Sequence, residues 1–176
     1  MAKKPKSLFG TTPEVIQTTG DAGRKGNATG NALERFVLQA LESKGYVEFE
    51  GNKRQAFSNR NIIGGKQYLT QLTCGPTIYG GDRRCDFFVV NRDKFPDDLI
   101  IECKWQQSSG SVDEKFPFLM FNIILTGVPT IVLVDGEGAR KVAVDWLKTK
   151  CADNCALRAV WTMNEFQRAI NDGLLG

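Results

Sequence analysis

Three charged side chains, Asp86, Glu102 and Lys104, accompany two short apolar segments near the middle of the chain. Residues i and i+2 of a β-strand project from the same face, so "DLIIECKW" (98–105) places Glu102 beside Lys104. Alone, this pair is typical of an exposed ion pair, which contributes about 0–1 kcal/mol. Asp86 enters the preceding segment, "CDFFVV" (85–90). If the two segments pair as antiparallel strands, Asp86 and Glu102 meet at one end of the sheet.

Two carboxylates beside a lysine suit a divalent metal ion and the hydrolysis of a phosphodiester. Mg²⁺ prefers carboxylate, carbonyl and water oxygens, and it can activate a water while neutralising charge on a phosphate. We predict Asp86 and Glu102 as ligands of Mg²⁺, with the backbone carbonyl of Cys103 as a further ligand and Mn²⁺ as a substitute ion. Lys104 is predicted to orient or activate the attacking water and to contact the scissile phosphate.

The composition excludes several other chemistries. The chain has no histidine, so Ser-His-Asp triads, Cys-His pairs and histidine-ligated zinc are unavailable. Its five cysteines form an odd set without a secretory context, which favours reduced thiols. Cys151 and Cys155 could form half of a zinc site, but there is no second close pair. The net charge of +3 permits a phosphate-bearing partner without identifying one.

The chain also lacks sequence features of a membrane or secreted protein. No apolar run approaches the roughly 20 residues needed to cross a bilayer. The N-terminal "MAKKPKSLFG" has basic residues but no apolar segment after them, unlike a secretory signal. We therefore expect an intracellular, cytoplasmic protein with no membrane partner.

A length of 176 residues suits one compact domain. Residues 1–28 are rich in Lys, Gly, Thr and Pro and are predicted to form a flexible N-terminal arm, and residues 29–176 a single domain. In "TGNALERFVLQALESKGY" the apolar residues follow helical spacing. Thr29 or Asn31 is predicted to cap this helix, and Glu34 lies in its first turn, where a carboxylate favours the helix dipole.

The remaining segments predict an α/β protein with a mixed central sheet covered by helices on both faces. After the two apolar strands, Thr162 and Glu165 form a capping box that starts the last helix. The other predicted elements are possible strands around 46–50, 53–58 and 66–73, a helix over about 113–126, a strand over 128–138, a helix over 139–150 and a strand over 156–161.

The sequence resembles the PD-(D/E)xK signature of restriction-endonuclease-like nucleases. In this chain Asp86 is followed, after fifteen further residues, by Glu102-Cys103-Lys104. Cys85 stands where the motif name has proline. The resemblance covers roughly residues 30–135 and implies an αβββαβ core and metal-dependent cleavage of double-stranded DNA. It also implies that Glu34, on the first helix, joins the metal site as a supporting catalytic acid.

The small size resembles stand-alone type II restriction endonucleases, which implies a restriction system in a prokaryotic or phage context. Cutting both strands of a palindrome would favour a homodimer, because one active site faces one strand. A junction resolvase or a nicking repair nuclease is an alternative within nucleases. A nucleic-acid-binding module without catalysis and a thiol-based redox or metal protein are alternatives from other classes.

The polar segment "WQQSSGSVDEKFPF" that follows the motif is a candidate surface for the DNA backbone, since hydroxyls, amides and lysines commonly contact phosphates. Ordinary turn chemistry before a helix explains it equally well. The aromatic residues Phe87, Phe88 and Trp105 are predicted to pack in the core rather than stack on bases. The predicted nucleic-acid-binding residues are Gln106, Ser109, Ser111, Lys115 and, from "GDRRCD", Arg84.

Overall fold

The computed structural model describes residues 21–106, 114–136, 138–153 and 156–176. Three long strands follow one another between residues 67 and 105, and helices alternate with strands after them. The helices are α1 (Asp21–Ser43), α2 (Lys53–Ala56), α3 (Lys115–Thr126), α4 (Lys141–Thr149) and α5 (Met163–Asn171), with 3₁₀ turns at Arg60–Ile62 and Lys150–Asp153. The strands are β1 (Val47–Glu48), β2 (Gln67–Pro76), β3 (Asp82–Asn91), β4 (Phe95–Trp105), β5 (Thr130–Asp135) and β6 (Leu157–Trp161).

The strands form one mixed sheet in the order β1-β2-β3-β4-β5-β6. The ladders from β2 to β4 are antiparallel, and the ladders β1–β2, β4–β5 and β5–β6 are parallel. Helix α3 connects β4 to β5, as a parallel pair requires a crossover connection. The mixed sheet flanked by helices and the αβββαβ order of its central elements are confirmed.

Helices cover both faces of the sheet and bury its apolar strands. On one face α1 and α5 pack on β4 and β5, through residues such as Val37, Phe166 and Ile101. The other face carries α3 and α4 over β5 and β6, with Phe116 and Leu147 in the interface. Each fully buried side chain of this kind contributes about 1.5–3 kcal/mol. The following aromatic residues are buried in or packed against this core, as predicted: Phe87, Phe88 and Trp105.

Helix α1 begins earlier than the sequence predicts. Its backbone is helical from Asp21, so Thr29 and Asn31 lie inside the helix and do not cap it. Part of the predicted N-terminal arm is therefore helical. Apolar periodicity identifies only the section of a helix that packs on a core, so it does not locate where a helix begins.

The predicted strand at 53–58 is wrong, because residues 53–56 form helix α2. Asn52 caps this helix, with its side-chain oxygen accepting a hydrogen bond from the Arg54 backbone N–H at 3.0 Å. Lys, Arg, Gln and Ala all favour helix over strand once such a cap is present. At the other end of the chain, the capping box of Thr162 and Glu165 is confirmed. In the part of the chain that the structure describes, no helix is both long and apolar enough to span a membrane.

Candidate active site

The candidate site lies where β3 and β4 separate. The antiparallel ladder between them ends at the pair Phe87–Ile101, one step before Asp86 would face Glu102. The Asp86 carboxylate takes the place of the next strand partner, since its Oδ2 accepts a hydrogen bond from the Cys103 backbone N–H at 2.7 Å. This bond satisfies a backbone donor that the separating strands would otherwise leave without a partner.

A kink in the β2–β3 hairpin turns Asp86 toward this gap. Gln71, opposite Asp86 in the ladder, has a φ of 51°, a left-handed conformation that costs a residue with a side chain about 1–3 kcal/mol. Its side-chain amide donates to Asp86 Oδ1 at 3.3 Å. Cys85 and Phe88 pack in the same cluster although regular alternation would put them on opposite faces. The strand therefore rotates at Asp86, which lies inside β3 rather than at its start as predicted.

The Lys104 ammonium bridges the two carboxylates. Its Nζ lies 2.9 Å from Glu102 Oε2 and 3.2 Å from Asp86 Oδ2. The structure thus brings together the three residues that alternation and strand pairing predicted to meet. Burial lowers the pKa of Lys104, but the Glu102 and Asp86 carboxylates outweigh it and raise this pKa above its ordinary value. The positively charged form of Lys104 is therefore stabilised beside both acids.

Arg83 holds the other side of the Glu102 carboxylate, a contact that sequence reasoning missed. Its Nη2 donates to Glu102 Oε1 at 3.0 Å, and both side chains are almost completely buried. Its Nη1 donates to the backbone carbonyl of Asn122 at 2.9 Å and also to the Thr126 hydroxyl, both on α3. The segment "GDRRCD" could have indicated that Arg83 is buried. Arg83 shares a strand face with buried Cys85, whereas Arg84 lies on the other face.

Glu34 approaches the site from the middle of α1. Burial raises its pKa, the Asp86 carboxylate raises it further, and Lys104 opposes the shift. The charges of Asp86 and Lys104 therefore act on Glu34, and its role as a supporting acid stays a prediction. A position in the helix interior also removes the alternative role of Glu34 as a first-turn charge at the helix terminus.

The donor atoms of the site fit a hard divalent cation. Asp86 and Glu102 already share one cationic group, the Lys104 ammonium, so their oxygens can surround a common positive charge. The carbonyl of a strand residue points to the same side as its N–H, so the Cys103 carbonyl also faces the gap beside Asp86. No group of three or more His, Cys, Asp or Glu residues arranged for a metal occurs among the described residues. A protein nevertheless usually binds Mg²⁺ through only one or two carboxylates, and waters complete the coordination of the ion.

A cleft of about 490 Å³ opens beside Glu102 and Lys104. Exposed Arg84 and Lys115 line it, and their contact with phosphates stays a prediction. Gln106 is placed differently from the prediction, since its side chain is buried and its backbone bonds to β5 and the following turn. Alternation from Lys104 does not extend to Gln106 because β4 ends at Trp105. The predicted contacts Ser109 and Ser111 lie outside the described residues.

Thiol chemistry gains no support from the placement of the cysteines. Four of them are free thiols and Cys155 lies outside the described residues. Burial is the main cause that raises the pKa of the Cys103 thiol, and a raised pKa disfavours the reactive thiolate. The four free cysteines are Cys74, Cys85, Cys103 and Cys151.

Comparison with known families agrees with the fold. The model of the PD-(D/E)XK nuclease superfamily domain matches residues 25–174. The chain therefore belongs to the PD-(D/E)XK nuclease superfamily, whose members are in general nucleases that hydrolyse phosphodiesters and typically use divalent metals. No curated protein and no solved structure gives a significant match.

Proposed function

We propose that this protein is a Mg²⁺-dependent endonuclease that cleaves double-stranded DNA. The observation that carries the proposal is the Lys104 ammonium held between the Asp86 and Glu102 carboxylates at the point where β3 and β4 separate. Two acids and one lysine around a gap in the sheet provide metal ligands and a cation for the phosphate in one place. The PD-(D/E)XK nuclease domain supports the same reaction class.

Each residue of the site has a distinct proposed role. Asp86, Glu102 and the Cys103 carbonyl would hold Mg²⁺, or Mn²⁺ in its place, and the ion would lower the pKa of a water and neutralise charge on the phosphate. Lys104 contacts the scissile phosphate and orients the attacking water. Glu34 supports the site as an additional acid beside Asp86.

Positive charge at the cleft supports nucleic acid as the substrate. Arg84 and Lys115 line the cleft beside the acidic site, where they can contact phosphates on either side of the scissile bond. In finer detail we propose a sequence-specific type II restriction enzyme that acts as a homodimer in a prokaryotic or phage cytoplasm. The motif resemblance and the small size of the domain support this assignment.

The test is incubation of the purified protein with mixed-sequence plasmid and phage DNA, in Mg²⁺ or in EDTA. Wild type is compared with Lys104→Ala and with Lys94→Ala, which removes an exposed lysine from the turn at the opposite end of β4. Discrete bands that require Mg²⁺ and Lys104 but not Lys94 support a sequence-specific endonuclease. Nicked circles alone favour a single-strand nuclease. DNA that is shifted on a gel but never cleaved would refute the proposal in favour of a binding module.

A further inference from the structure

Helix α3 is apolar on the face that the sheet does not cover. Its buried side consists of Phe116, Met120, Asn122 and Ile123. The opposite side exposes Phe118, Phe121, Ile124 and Leu125, which recur at helical spacing. A helix that is apolar all round is normally buried on all sides. These four side chains are 37–56% exposed in the described part of the chain.

The tip of the β2–β3 hairpin extends the same surface. Tyr79 is 83% exposed and stacks on Phe118 with ring centroids 5.3 Å apart. The Ile78 backbone N–H donates to the Asn122 side chain at 2.8 Å, which fixes the hairpin tip on α3. We call this surface the α3 patch; it consists of Ile78, Tyr79, Phe118, Phe121, Ile124 and Leu125.

The size of the α3 patch approaches that of one side of a protein interface. Fully exposed side chains of this size offer 150–250 Å² each, so the observed exposures correspond to roughly 600 Å² of accessible surface. That area is at the upper end of the largest apolar patches on monomers. It is also most of the roughly 800 Å² that each partner buries in a standard interface.

The α3 patch lacks charged residues, which limits the kinds of partner that it can bind. The only charged residue of α3 is Lys115, at its first position, and the α3 patch contains none. Such a surface has no cations for DNA phosphates and no groups to pair with a charged protein. It meets no like-charge repulsion when two copies face each other, which a two-fold interface requires because the same residues occur on both sides.

We propose that the α3 patch is the homodimer interface of this protein, with α3 of one copy packed against α3 of a second copy. Phe121 lies at the middle of the exposed stripe, between Phe118 and Leu125, and is therefore placed nearest the two-fold axis. Phe118 also lines the cleft beside Glu102 and Lys104. The interface and the candidate active site thus share an edge.

A consequence for cleavage rests on the proposed function. Because the cleft borders the α3 patch, the two active sites of the dimer flank one interface and can each address one strand of the same duplex. Dimerisation itself does not depend on catalysis, so it is measured separately.

The experiment measures the molar mass of the full chain by light scattering and sedimentation across a wide range of protein concentrations. Wild type is compared with Phe121→Asp and with the control Val47→Asp on the edge strand β1. The two native side chains are similarly exposed, Phe121 to 56% and Val47 to 60%. We expect a dimer for wild type and for Val47→Asp, and a folded monomer for Phe121→Asp. Leu125→Asp serves as a second interface variant if Phe121→Asp fails to fold.

Two outcomes would overturn the proposal. One is a wild-type monomer with and without DNA, which would mean that the α3 patch is covered by other residues of the chain, by a membrane or by a different protein. The other is a dimer that survives Phe121→Asp and Leu125→Asp. A dimeric wild type that cleaves no DNA would leave the interface standing and refute only the nuclease function, since Lys104→Ala is also expected to remain dimeric.

Discussion

Replacing Arg83 by methionine should weaken the fold far more than replacing its neighbour Arg84. Arg83 and Glu102 form a buried ion pair at 3.0 Å, with side-chain exposures of 4% and 3%. Breaking such a pair by removing one partner costs about 3–5 kcal/mol, because it leaves a charge buried without compensation. The hydrogen bonds from Arg83 to Asn122 and Thr126 are lost with the ion pair, and their loss is part of this cost.

One contact moderates this cost. Glu102 keeps its ion pair with Lys104 at 2.9 Å, so the carboxylate is not left entirely alone. We therefore expect a loss of about 3 kcal/mol, near the lower limit of the range for buried pairs. Domains of this kind have total stabilities of about 5–15 kcal/mol, so Arg83→Met should still fold.

Urea unfolding followed by circular dichroism measures this loss as a lower midpoint with an unchanged slope. Arg84→Met is the matched control, because Arg84 is the adjacent arginine on the exposed face of the same strand and should change stability by no more than about 0.5 kcal/mol. The double variant Arg83→Met/Glu102→Gln should recover part of the loss, since it removes both charges. Equal midpoints for Arg83→Met and Arg84→Met would show that the buried pair does not support the fold.

Gly136→Ala should cost about 2–4 kcal/mol in urea unfolding, because a Cβ there would lie 2.1 Å from the Gln106 carbonyl oxygen at a φ of 99°. Gly80→Ala, at a φ of 81° with open space, should cost only about 1–2 kcal/mol, and similar losses for both would contradict the clash. Thr162→Ala should destabilise α5 by about 1 kcal/mol, because the Thr162 hydroxyl caps the helix. The backbone hydrogen bond from Thr162 lowers the pKa of Glu165, so its stabilising contribution is present at neutral pH and is lost as the pH falls through that lowered pKa. Glu165→Gln should therefore flatten the acid limb of a plot of stability against pH, and an unaltered limb would count against the capping box.

The central part of the site could be predicted because it depends on local rules. Alternation places Glu102 and Lys104 on one face, and pairing of adjacent strands brings Asp86 to them. Gln106 was misplaced because the alternation rule holds only inside a strand, and β4 ends one residue earlier. The start of α1 was missed because apolar spacing does not locate where a helix begins.

Arg83 shows why the rest of the site required the structure. Its face follows from alternation with Cys85, but its partners come from β4 and α3, which are distant in sequence. The kink at Gln71 is equally hidden, because a left-handed conformation at a residue with a side chain has no sequence signal of its own. Tertiary contacts stabilise both features, and no local propensity predicts either.

Helix α3 connects the candidate active site to the proposed interface through opposite sides of one element. Its inner side binds Arg83 through the Asn122 carbonyl and the Thr126 hydroxyl, and Arg83 in turn fixes Glu102. Its outer side carries Phe121, which contributes nothing to those contacts. A charge placed at Phe121 would therefore act on association without removing the support of Glu102. For a nuclease with this arrangement, hydrolysis of one strand and coordinated cleavage of two strands are separable properties that depend on different faces of the same helix.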